Sequence, residues 1–216
     1  MKIEDYLNTL PESILSGQDI QLPKQTFREI FQFVRLEKDD IFYHLGCGDG
    51  TGLAIAKEEF HVKKIVGIDN SKEKIDSANE LLNEKNISDV KTILDDVSNV
   101  NIDDADVVLF WFTNESILKK MMEKFSGLKH GAKIITIWGP LPGCLPSMVE
   151  FPYIMNQVPF KEAEDLKDQL LAIFDVKCVD FVTAWEFAER YTNACLLYTS
   201  DAADEGLGVD LGGRRI

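Results

Sequence analysis

The chain has 216 residues, 45% of them hydrophobic and 28% charged, and a formal net charge of −14. That length and composition suit one globular domain with an ample core, and no apolar run approaches the roughly 18 residues that span a bilayer. The acidity argues against nucleic acid as a partner, since proteins that track phosphates carry a basic face and no Lys/Arg cluster supplies one here.

Residues 1–20 read as a weakly amphipathic helical extension that breaks at Ser16-Gly17, and Met1-Lys2-Ile3-Glu4-Asp5 lacks a signal-peptide core. A cytoplasmic location is the expectation. After Gln21-Leu22, Pro23 suits the first position of a helix. Phe27, Ile30, Phe31 and Val34 then recur at i, i+3, i+4 and i+7, an apolar stripe that needs a core. Residues 41–45 form a short apolar strand, followed by glycines at 46, 48, 50 and 52 and a short helix over 53–59. A second strand over 62–69 ends at Asp69. Ser71 is placed to cap the next helix, whose buried face carries Ile75, Ala78, Leu81 and Leu82. The third strand, 90–94, ends at Asp95-Asp96.

The run over 105–112 is almost wholly apolar, as in a buried parallel strand. A helix over 115–125, a turn flanked by Gly127 and Gly131, and a fifth strand over 132–138 follow. Five prolines (Pro140, Pro142, Pro146, Pro152 and Pro159) predict a loop over 139–159. Residues 160–174 return to helix and 177–190 to extended structure. Strands alternating with helices specify an α/β fold: an open, mostly parallel sheet with helices on both faces and ligands at the C-terminal strand ends.

The end of the chain breaks this pattern. The stretch from Cys195 through Tyr198, Asp204 and Glu205 to Ile216 is rich in Gly and Asp without helical or strand period, and it resembles a translated sequencing adapter. The expected organisation is an extension over 1–20, a domain over 21–194 and a non-native tail over 195–216. The cysteines (Cys47, Cys144, Cys178 and Cys195) form no C-x-x-C pair and no zinc-like spacing with histidine, so no metal is expected. Cys47 reads as a small residue in a tight turn.

The informative stretch is Gly46-Cys47-Gly48-Asp49-Gly50, continued by Thr51-Gly52. Glycines between a strand and a helix let the backbone turn sharply and approach a ligand, and the helix behind them points free N–H groups and a positive dipole end at it. A dinucleotide fingerprint, G-x-G-x-x-G, requires a third glycine where Thr51 or Leu53 stands. Asp69 lies 23 residues after Gly46, close to the roughly 20-residue separation at which an acid meets a ribose diol.

The G-x-G-x-G pattern resembles motif I of the class I S-adenosylmethionine (SAM)-dependent methyltransferases, a Rossmann-like fold, over residues 21–190. The resemblance implies SAM as cofactor. It matches Gly46, Gly48 and Gly50 to the loop beside the methionyl moiety, Asp69 to the ribose-binding acid and Asp96 to the adenine-binding acid, with the Val97 N–H facing the ring. Cys47, Asp49, Asn70 and Trp111 complete the expected cofactor set. His44 stands where that family usually has Asp or Glu facing the cofactor's amino group, and Asp49 or a backbone carbonyl is the substitute.

The fourth strand, which in this family ends in the substrate site, continues Phe110-Trp111-Phe112-Thr113-Asn114-Glu115. The Asn-Pro-Pro-Tyr of amino-methylating nucleic-acid enzymes is missing. Leu22-Pro23, Asp40-Ile41, the glycine loop, Ala105-Asp106-Val107-Val108 and Leu128-Lys129-His130-Gly131-Ala132-Lys133 look most like the small archaeal protein-lysine methyltransferases. That resemblance implies N-methylation of protein lysine, with the acidic surface steering a basic protein substrate. Phe112, Thr113, Asn114 and Trp138 are the candidate catalytic residues. Trp111, Phe112 and Trp138 would wall an aromatic slot that lowers an amine's pKa by desolvation, and Asn114 would hydrogen-bond the amine. Two alternatives stand beside this: a small-molecule acceptor closed in by the 139–159 segment, and a SAM-binding module without turnover.

Overall fold

The computed structural model describes residues 21–111, 115–137 and 139–174. Five parallel strands form the centre of the sheet: β1 (Ile41–Leu45), β2 (Lys64–Asp69), β3 (Val90–Leu94), β4 (Val107–Phe110) and β5 (Lys133–Ile137). With β7 (Met148–Glu150) and β8 (Tyr153–Gln157) they make a seven-stranded sheet in the order β3-β2-β1-β4-β5-β8-β7, in which β8 runs antiparallel to both neighbours. The order reverses between β1 and β4, where open α/β sheets bind ligands beyond the carboxyl ends of the strands.

Both faces are covered. Helices α1 (Lys24–Val34), α2 (Thr51–Glu58) and α3 (Lys72–Glu84) share one apolar cluster through Phe27, Phe31, Leu53, Ala56 and Ile75. Helix α4 (Glu115–Ser126) contributes Met121 and Phe125 to the other. Along β1 the side chains alternate between them, Phe42 in the first cluster and Tyr43 and Leu45 in the second. All four residues of β4 are buried, so the continuous apolar run is what a central parallel strand requires.

The expected stripe on α1 is buried, joined by Phe33. Pro23 is the N-cap rather than the first helical residue, its carbonyl accepting from the Phe27 N–H. Helix α1 is held over the sheet's first face by two side-chain ties. Arg28 forms a two-pronged pair with Glu59 at the end of α2, and the Tyr153 hydroxyl donates to Glu29. The Ser71 hydroxyl caps α3 by accepting from the Lys74 N–H at 3.4 Å.

The 139–159 segment differs from the loop that its prolines predict. It holds β7, β8 and β6 (Cys144–Leu145), the last paired with β9 (Lys161–Glu162). The strands are short enough to sit between the prolines: Pro146 precedes β7, Pro152 lies in the β7–β8 turn and Pro159 follows β8. None interrupts a ladder, so the usual objection to proline in a sheet does not apply. The expected helix over 160–174 is shortened to α5 (Leu166–Phe174), which begins where Asp165 accepts from the Asp168 N–H. Buried Gln169 on α5 donates to the Leu141 and Cys144 carbonyls, at 2.9 and 2.8 Å, fixing that segment. A Gln169→Leu substitution removes both hydrogen bonds, leaving the Leu141 carbonyl only the Cys144 N–H, and is expected to cost about 1–3 kcal/mol in urea unfolding. The expectations for 1–20, 177–190 and 195–216 fall outside the described residues.

Candidate cofactor site

The glycine loop is built by three left-handed residues, Gly46 (φ 80), Gly48 (φ 56) and Gly50 (φ 78). Gly50 serves as the N-cap of α2, so the helix starts at Thr51, two residues before its expected start. The loop is tied to the tip of β2 in two ways. The Gly46 and Cys47 N–H groups donate to the Ile68 carbonyl, and the Gly48 N–H donates to Asp69 Oδ2 at 3.0 Å. Asp69 is buried, and its Oδ1 accepts from the Ser71 N–H at 3.0 Å. Each carboxylate oxygen keeps a further lone pair. Gly46 and Asn70, in contrast, are exposed at the strand tips.

Glycine at position 50 is required by close approach as well as by φ. A Cβ there would lie 2.8 Å from the Ala78 Cβ and 3.0 Å from its Cα, so the loop rests directly on α3. A Cβ on Gly67 in β2 would meet Leu53 and Cys47, which fill the space beneath the loop. Cys47 is buried and desolvation pushes its thiol up to about 12, so it is a packed thiol and no nucleophile.

His44 is 5% exposed, edge-on to Phe27 and near-parallel to Phe42, and its Nδ1 has no hydrogen-bond partner among the described residues. Burial pushes the imidazole down to about 4, against a weaker upward pull from Asp69 and Asp49. The ring is neutral at physiological pH. A base whose folded pKa lies below its unfolded value stabilises the fold fully above the unfolded value, and that stability is lost as pH falls toward the folded one. Between pH 6.5 and 4 His44 should therefore remove stability on the order of 3 kcal/mol. Urea unfolding of His44→Gln should be flatter than wild type across that window; parallel profiles would contradict the assignment.

At the next strand tip, Asp96 Oδ1 accepts from the Ser98 N–H at 2.8 Å, and the Ser98 side chain first and this N–H second lower the carboxyl's pKa. Val97 is buried beside it. The Asp95 N–H donates to the Asp69 carbonyl, which brings the second and third tips together. Trp111, one residue past the paired Leu45 and Phe110, is level with Gly46 and half-buried against the α1-side cluster. Phe112, Thr113, Asn114 and Trp138 lie outside the described residues. Among the described residues no three His, Cys, Asp or Glu side chains are grouped to hold a metal ion.

A family profile described as a methyltransferase domain matches residues 42–129, from β1 past α4. A protein-lysine N-methyltransferase of Saccharolobus islandicus is 32% identical over 120 residues, which span 54% of this chain and 73% of that protein. The chain belongs to the class I SAM-dependent methyltransferases. Among solved structures, an RNA methyltransferase from Salinibacter ruber in complex with S-adenosylhomocysteine (SAH) shares the fold. Its TM-score is 0.61 at 20% identity, covering 68% of this chain and 99% of that one. MtNAS in complex with SAM follows at a TM-score of 0.51 and 9% identity, covering 61% and 59%.

The cofactor of this methyltransferase is SAM, and the site fits it on three local observations. The loop backbone is open at Gly46, a carboxylate with spare acceptor capacity stands at the β2 tip, and a second carboxylate stands at the β3 tip. Sequence reasoning missed Gln21, which lies on the loop from outside it; only its position before Pro23 marked it.

Proposed function

We propose that this SAM-dependent methyltransferase N-methylates lysine side chains of basic proteins. The observation that carries the reading is the 32% identity to a protein-lysine N-methyltransferase over 120 residues, 73% of that protein's length. The net charge of −14 supports it, since an acidic surface steers a basic acceptor.

SAM supplies a methyl group already activated on a sulfonium, so the protein's work is alignment and exclusion of water. In this reading Asp69 accepts from both ribose hydroxyls through the lone pairs that Gly48 and Ser71 leave free. Asp96 accepts from the adenine amino group beside the Val97 N–H, and Asn70 edges the ribose. The backbone of Gly46–Gly48–Gly50 lies along the methionyl end, with Asp49 and His44 beside it. Neutral His44 offers that end a lone pair rather than a charge. Trp111 borders the acceptor side, and Phe112, Thr113 and Asn114, which follow β4 in sequence, with Trp138, which follows β5 in sequence, are the proposed acceptor residues. An aromatic slot there disfavours the ammonium form of lysine by desolvation and delivers the neutral amine in line.

Transfer of labelled methyl groups from SAM to a lysine-rich polypeptide tests the reading. Labelling should disappear when the lysines are acetylated beforehand. Labelling that survives acetylation would overturn lysine as the acceptor.

A further inference from the structure

Gln21 precedes α1, and its neighbours hold it in place: Leu22 is half-buried against the α1-side core and Pro23 caps the helix. Its side chain donates from Nε2 to Asp49 Oδ1, 28 residues further along the sequence, at 2.8 Å. Its Oε1 occupies the space that a Cβ on Gly48 would need. Asp49 Oδ1 also accepts from the Thr51 N–H at 2.9 Å, so the carboxylate that receives Gln21 is itself oriented by the first turn of α2.

We propose that Gln21 is a positioning residue for the amino-acid end of SAM, a latch that closes the segment before α1 over the glycine loop. The proposal rests on the reading that this loop holds the methionyl end. A primary amide has two N–H donors and one carbonyl acceptor. One N–H is engaged by Asp49, which leaves a donor for the cofactor's carboxylate and an acceptor for its ammonium. Gln21 is exposed and belongs to no helix or strand, so its removal leaves the core and every sheet ladder intact.

The test compares wild-type chain with Gln21→Ala and Gln21→Glu, each titrated with SAH and with 5′-methylthioadenosine, which lacks the amino-acid end. Gln21→Ala should weaken SAH by about 3- to 10-fold, the range of one net hydrogen bond, chiefly through faster dissociation. Its affinity for 5′-methylthioadenosine and its melting temperature without ligand should match wild type. Gln21→Glu, which sets a second carboxylate against Asp49, should weaken SAH further. Unchanged SAH affinity in Gln21→Ala, or an equal loss for both ligands, would overturn the proposal. A wild-type chain that binds 5′-methylthioadenosine but not SAH would instead overturn the placement of the methionyl end, and the proposal with it.

Discussion

Asp69→Ala is expected to weaken SAM and SAH by at least about a hundredfold. Two charge-assisted hydrogen bonds to a ribose diol contribute about 1.5–3 kcal/mol each, and each 1.4 kcal/mol is a factor of ten. The substitution also frees the Gly48 N–H, which loses its only side-chain tie between the glycine loop and β2 among the described residues. Asp69→Asn separates the two effects. Its amide oxygen can still accept from one backbone N–H, so the fold is better preserved, while the charge that strengthens the ribose contacts is gone. Calorimetric titration with SAH, beside thermal melting of the unliganded proteins, checks this. SAH affinity within about threefold of wild type in a folded Asp69→Asn protein would show that the ribose is held elsewhere.

Gly50→Val should be the most destabilising single change in the loop. A non-glycine residue at a φ of 78 costs about 1–2 kcal/mol, and more for a β-branched side chain. The new side chain also enters space already taken by Ala78, where overpacking adds about 1–3 kcal/mol. The sum, roughly 2–5 kcal/mol, is a large share of a typical domain's stability. Chemical denaturation should show it as a lower midpoint with an unchanged slope. Because the steric partner is on α3, Ala78→Gly in the same chain should recover part of the loss, and failure to recover any would place the clash elsewhere.

The cofactor half was legible because its signals are local. Glycines with obligatory left-handed φ mark the loop, the acid at the end of an apolar strand marks Asp69, and Ser71 marks the start of α3. The uninterrupted apolar run marked β4 as central. The acceptor half was less legible. Proline count over 139–159 suggested a loop, whereas what decides strand formation is where each proline falls relative to the ladder, and here all five lie outside the strands. The start of α5 was available in Asp165 and Asp168, a capping pair that the longer apolar pattern obscured. Gln169 and Asn156 left no local trace, since their value lies in the Leu141, Cys144 and Leu145 carbonyls they satisfy. Gln21 is the same kind of case, because its contact with Asp49 depends on how α1 is laid across the sheet. His44 was legible as a departure from the family's acid, but its neutral state follows from Phe27 and Phe42 packing around it.

The most direct test of the central claim is to incubate the full chain with methyl-labelled SAM and a lysate, then separate protein, RNA and small-molecule fractions. Asp69→Ala is run in parallel. Label is expected in protein, released on hydrolysis as methylated lysine, and lost with Asp69→Ala. Label confined to RNA or to small molecules would contradict protein lysine as the acceptor, and no transfer to any fraction from a chain that binds SAM would contradict turnover itself.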